Sequence, residues 1–219
     1  MADDATSTPR AHPGGSAPRQ RVVVLAGPSG AGKSRLASRL NQAHGWPIFR
    51  LDDFYRDLDD PAMPRSEDLG IIDWDHPASW DADSAVASLH ELVDTGRTHT
   101  PVYDISASRA VGHREVTAAP SDLVLAEGIF AAEVVERLRE GGVLHSAWCV
   151  THHPAVTFVR RLARDLRERR KPPIVLVRRG LTLMRAEPEI VRRQTDLGAR
   201  AVRASDLERD LAAAPHGVG

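Results

Sequence analysis

The eight residues Gly27-Pro28-Ser29-Gly30-Ala31-Gly32-Lys33-Ser34 complete the pattern Gly-x-x-x-x-Gly-Lys-Ser between an apolar run and a helical one. Before them, Val22-Val23-Val24-Leu25-Ala26 is mostly β-branched and apolar on both faces, as a central strand of a parallel sheet must be. After them, Leu36, Ala37 and Leu40 recur at helical spacing. Glycines at such a junction let backbone N–H groups converge on phosphate oxygens, and the helix start adds the positive end of its dipole. Lys33 is placed to reach the β- and γ-phosphates of ATP, and the Ser34 hydroxyl to ligate Mg²⁺. A tight glycine turn joining strand to helix is the competing reading.

Further along, strand-like segments alternate with helical ones: Pro47 to Leu51, the apolar face of Ala85, Val86, Leu89, Leu92 and Val93, then Asp122 to Ala126, Leu144 to Val150, and a helical pattern from Pro154 to Arg170. That alternation predicts an α/β fold, a P-loop NTPase with a parallel sheet flanked by helices. Residues 98–117, with Pro101-Val102-Tyr103 and His113 to Thr117, read as a small β-rich substrate-binding insertion. The expected organisation is a disordered tail over 1–20, a kinase domain over 21–211 and a flexible C-terminus over 212–219, with a last helix from about Ala204 to Ala214. Residues 57–79 read as a long polar loop.

A formal net charge of −1 over 219 residues gives no general attraction to nucleic acid or to an anionic membrane. The single cysteine, Cys149, excludes an intramolecular disulfide framework and suits a reducing cytoplasm. No apolar run reaches the roughly 18 residues of a membrane span, and the first 20 residues hold no secretory apolar segment. His76, His113, His152 and His153 match no zinc spacing. The expected partner is a small molecule, with a homo-oligomer left open.

Two acidic positions follow strand-like runs. Glu127 ends Leu123-Val124-Leu125-Ala126 and would emerge beside the phosphate loop to hold Mg²⁺; a solvated acid at a strand end reads the same way. Asp52 and Asp53 follow the strand-like segment Pro47 to Leu51 and would emerge at the same edge. One reading makes a carboxylate there the group that orients an acceptor hydroxyl and takes its proton; the other makes it a turn or cap residue. The basic run Arg160, Arg161, Arg164, Arg167, Arg169, Arg170 and Lys171 is interrupted by Asp165 and Glu168. It reads as a solvated face or as a helical, Arg-rich lid over 160–173 that closes on phosphate; no aromatic residues are interleaved for base stacking.

Taken in order, the phosphate loop, Leu51-Asp52-Asp53-Phe54-Tyr55, Asp73-Trp74-Asp75-His76-Pro77, Pro101-Val102-Tyr103-Asp104 and Glu127-Gly128-Ile129 resemble the uridine–cytidine kinase and phosphoribulokinase group of P-loop kinases, over roughly Arg21 to Lys171. The resemblance implies phosphorylation of a nucleoside 5′-hydroxyl by Mg-ATP, with uridine or cytidine as acceptor. It implies Asp52 as general base, Asp75 on the ribose hydroxyls, Tyr55 and Tyr103 lining the nucleoside pocket, and Glu127 joining Ser34 around Mg²⁺. Arg164 and Arg169, with Lys33, would contact the transferring phosphate, and Arg109 and Arg161 the substrate. The chain departs from the pattern at Ile105-Ser106-Ala107-Ser108-Arg109, where Ala107 stands near the place of a pyrimidine-recognising histidine, and at Lys171, where a lid arginine is common. The alternatives are a kinase of another small alcohol (a sugar phosphate, pantothenate or a pyridine nucleoside) and a P-loop ATPase or switch without kinase activity.

Overall fold

The computed structural model describes residues 19–66, 70–152 and 187–212. Five strands form a parallel sheet in the order β2-β5-β1-β6-β7. They are β1 (Val22–Ala26), β2 (Ile48–Arg50), β5 (Val124–Glu127), β6 (Leu144–Thr151) and β7 (Arg200–Arg203). Strand β1 is central and wholly buried, which is why its sequence is apolar at every position. Its alternation divides two cores. Val22, Val24 and Ala26 pack with Leu89 and Leu92 of α2 (Ala82–Thr95) and Leu138 of α3 (Val135–Glu140). Val23 and Leu25 pack with Leu36 and Leu40 of α1 (Lys33–His44) and with Leu207 and Leu211 of the last helix, Ala204–Ala212.

From β1 the chain crosses past β5 to β2, whereas from β6 it moves the opposite way to β7. The carboxyl ends of β1 and β6 therefore flank a switch point, where open α/β sheets leave a crevice for ligands. Gly27 lies in it. A Cβ there would come 2.4 Å from the Val150 carbonyl oxygen, and its φ of +139° is one that side chains rarely adopt.

The insertion is a single antiparallel hairpin of β3 (Arg97–Asp104) and β4 (Arg109–Thr117), longer than the short strands expected. Asp52 and Asp53 follow β2, as expected, and lie on a 3₁₀ turn, Leu51–Phe54. The polar loop contains one more such turn, Pro77–Ser79. Strand β7 and a helical stretch over 187–196 have no counterpart in the sequence reading. The whole of the expected lid over 160–173, with Arg161, Arg164, Arg169 and Lys171, lies outside the described residues, as do most of both termini. Among the described residues no helix is long and apolar enough to cross a membrane.

Candidate active site

Lys33 opens α1 and is only 6% exposed. Its ammonium donates to the Gly27 carbonyl at 2.7 Å and the Pro28 carbonyl at 3.2 Å, so the loop curls around its own cation. Gly27, Pro28, Ser29, Gly30, Ala31 and Gly32 form that curl between β1 and the helix. Ser34, one residue on, donates its hydroxyl to Glu127 at 2.9 Å. Glu127 arrives there because β5 pairs in register with β1, setting Leu25 opposite Glu127.

Asp52 approaches the same centre from β2. Its Oδ1 accepts the Ile129 N–H at 2.9 Å. Burial pushes the Asp52 carboxyl above the usual range, against the opposing pull of the Lys33 and Arg50 charges. Burial also raises Glu127, and the nearby Asp52 charge adds to it, while Lys33 and the Ser34 hydrogen bond work the other way. A buried Glu127 whose protonation the neighbouring Asp52 charge favours is a place where a cation relieves repulsion. A hydroxyl and carboxylates are hard oxygen donors of the kind Mg²⁺ takes alongside phosphate and water. Ser34 and Glu127 thus fit that ion.

The structure separates the two neighbouring aspartates. Asp53 turns away from the phosphate loop and is 5% exposed, holding Arg114 of β4 at 3.0 Å and Arg50 at 3.8 Å. It ties the hairpin to the sheet, while Asp52 faces Lys33 and Glu127.

Gly128 makes this packing possible. A Cβ at that position would come 2.8 Å from Asp52 Oδ1 and 2.9 Å from Leu51 Cβ. Gly128→Ala is expected to displace Asp52, costing about 1–3 kcal/mol of stability through overpacking. Its kcat is expected to fall at least about tenfold, since misplacing a reacting group by about an ångström is enough. Thermal unfolding and steady-state kinetics on one preparation check both.

Beyond Asp52 lies an aromatic wall. The Tyr55 ring is 5.7 Å from Tyr103, 5.9 Å from Trp74 and 6.0 Å from Phe130. Burial, and then the charges of Asp52, Asp75 and Tyr103, push the Tyr55 hydroxyl far up, so these three residues named from the sequence gather near one phenol. Burial and the Asp57 charge raise Tyr103 to about 12. Asp75 itself is exposed, its N–H bound to Asp73 at 3.1 Å. The hairpin tip differs. Asp104 Oδ1 caps it by accepting the Ser106 N–H at 2.7 Å, which leaves Ala107 exposed in the turn and Arg109 exposed at the start of β4.

On the other side of the phosphate loop a cleft of about 680 Å³ runs from Ala31 and Gly32 to Thr151, His152 and Ser205, between Arg35 and Arg203. The Arg39–Glu208 ion pair at 2.7 Å joins α1 to the last helix along this side. Its volume is that of a nucleotide-sized pocket. Neither Arg35, Arg203 nor Phe130 stands out in the sequence; the first two emerge from elements that meet only through the sheet.

A model described as the phosphoribulokinase/uridine kinase family matches residues 22–182. A uridine kinase of Lactobacillus johnsonii is 30% identical over 155 residues, which are 69% of this chain and 70% of that protein. One from Deinococcus deserti is 31% identical over 170 residues, 76% of this chain and 79% of its own. A solved structure from Silicibacter sp. TM1040, whose assignment as a fructose transport system kinase is provisional, matches with a TM-score of 0.59 at 20% identity over 89% of this chain and 91% of its own, a likeness of fold. A family match that runs from β1 past β6 agrees with the phosphate loop and its carboxylates, and the chain belongs to the phosphoribulokinase/uridine kinase family: it is a kinase, a phosphotransferase with an alcohol acceptor.

Proposed function

We propose that this kinase transfers the γ-phosphoryl group of ATP to the 5′-hydroxyl of a nucleoside, with uridine and cytidine as acceptors. The observation that carries this reading is the position of Asp52, whose charge acts both on Glu127 at the phosphate loop and on Tyr55 in the aromatic wall. A base for phosphoryl transfer needs that intermediate position, within reach of the acceptor and of the phosphate.

In the proposed reaction the phosphates of ATP lie in the 27–34 loop and its base in the 680 Å³ cleft. The acceptor stacks against Tyr55 and Tyr103, with Asp75 on its ribose hydroxyls. Asp52 takes the hydroxyl proton as the oxygen bonds to the γ-phosphorus; the bond to the β-phosphate oxygen breaks and ADP leaves. Lys33 steadies the charge on the transferring group, aided by Arg164 and Arg169, with Arg109 and Arg161 on the substrate side. Mg²⁺, held by Ser34 and Glu127, supplies neutralisation of phosphate charge.

Ala107 favours a second reading. An exposed alanine at the hairpin tip offers no side-chain donor to a pyrimidine edge, so another small alcohol is a rival acceptor. ADP release from Mg-ATP with and without uridine or cytidine decides between them. A rate that rises many-fold with either nucleoside is expected; no response to either, with turnover of a different alcohol, would overturn the nucleoside assignment.

A further inference from the structure

Gln194 is a buried polar residue in a stretch that no motif covers. It lies in the 187–196 helix, is 6% exposed, and bridges β6 and the loop that follows β5. Its Nε2 donates to the Ile129 carbonyl at 3.2 Å, and its Oε1 accepts from the Cys149 thiol of β6 at 3.2 Å. On the other side of the Ile129 Cα, the Ile129 N–H donates to Asp52 Oδ1 at 2.9 Å. The continuous path is therefore Cys149 to Gln194 to Ile129 to Asp52.

The direction of each bond is fixed by chemistry. The Ile129 carbonyl can only accept, so the amide must present its nitrogen there and its oxygen to Cys149. That oxygen requires a donor. Burial raises the Cys149 thiol to about 11, so it keeps its proton at neutral pH. The Ile129 N–H meanwhile favours the charged form of Asp52, which burial opposes.

We propose that Gln194 is a positioning residue for catalysis: by fixing the backbone of Ile129 through its carbonyl, it holds the Ile129 N–H on Asp52 at the phosphate loop, and Cys149 orients its amide. This inference rests on the assignment of Asp52 as the base, and it brings a helix far along the chain into the site without touching substrate.

The test replaces Gln194 with methionine, which keeps volume and apolar fit but removes the amide, and compares Cys149→Ser with Cys149→Ala. Gln194→Met is expected to lower kcat about tenfold, the worth of one well-placed hydrogen bond, with KM for ATP changed by less than about twofold. Cys149→Ser keeps a donor and is expected to retain wild-type kcat, while Cys149→Ala shows a smaller loss than Gln194→Met. Hydrogen exchange at the Ile129 amide is expected to accelerate in Gln194→Met. An unchanged kcat overturns the proposal, and so does a joint loss of kcat and nucleotide affinity, the mark of a merely structural role. If the wild-type protein turns over neither uridine nor cytidine, the nucleoside reading fails by itself. Gln194 is then judged on Ile129 exchange alone, where an unchanged rate overturns it.

Discussion

Asp52→Asn is expected to lower kcat by roughly 10²–10⁴-fold, the usual worth of a general base, while ADP and ATP still bind. Asparagine keeps an oxygen for the Ile129 N–H, so the local geometry survives and only the proton acceptor is lost. The same substitution is expected to leave the nucleotide-free protein at least as stable as the wild type. Burial holds the folded-state pKa of Asp52 above its unfolded value. From about pH 4 upward the folded state then binds more protons than the unfolded one, so this group's contribution to stability falls as pH rises through the folded pKa. At neutral pH its charge is a liability to the empty fold, and asparagine removes it. In the active enzyme the base must be ionised, so the acidic limb of the rate profile lies above the ordinary carboxylate range. Single-turnover kinetics, nucleotide binding and thermal unfolding across pH check these together. Wild-type turnover in Asp52→Asn would remove the residue from the base role.

Lys33→Met should be nearly as damaging, with a loss of about 10²–10³-fold in kcat, as for removal of one buried donor to the transition state. Lys33 is held in the loop by two carbonyls, which fixes its ammonium where phosphate enters. Arginine is not expected to rescue it, because a planar fork does not fit a pocket shaped for a compact ammonium. A second signature accompanies the loss. Lys33 draws the pKa of both Asp52 and Glu127 downward, so without it both carboxylates protonate at higher pH. The acidic limb of the residual activity is therefore expected to move up in Lys33→Met. A limb that stays in place would show that Lys33 and the carboxylates do not share one electrostatic centre.

The sequence alone determined the parts of this protein whose chemistry is local. Val22 to Ala26 is apolar at every position because both faces of β1 are covered, and Gly27 to Ser34 states its turn, its helix start and its cation within eight residues. Glu127 and the acidic pair after β2 were legible because each follows a strand-like run, whereas Tyr55 and Tyr103 were named only through the family resemblance. Which aspartate of that pair faces the phosphate loop was not legible in the spacing; only the family resemblance pointed to Asp52. On a 3₁₀ turn consecutive side chains diverge by about 120°, and the helical phase depends on how β2 docks on β5. One aspartate therefore meets Lys33 and the other Arg114. The tertiary structure also decided the surroundings of Phe130, Gln194, Arg35 and Arg203. Each acquires its neighbours from elements far away in the chain, and the order of strands that brings those elements together is set by crossovers and by burial of two cores rather than by any local pattern.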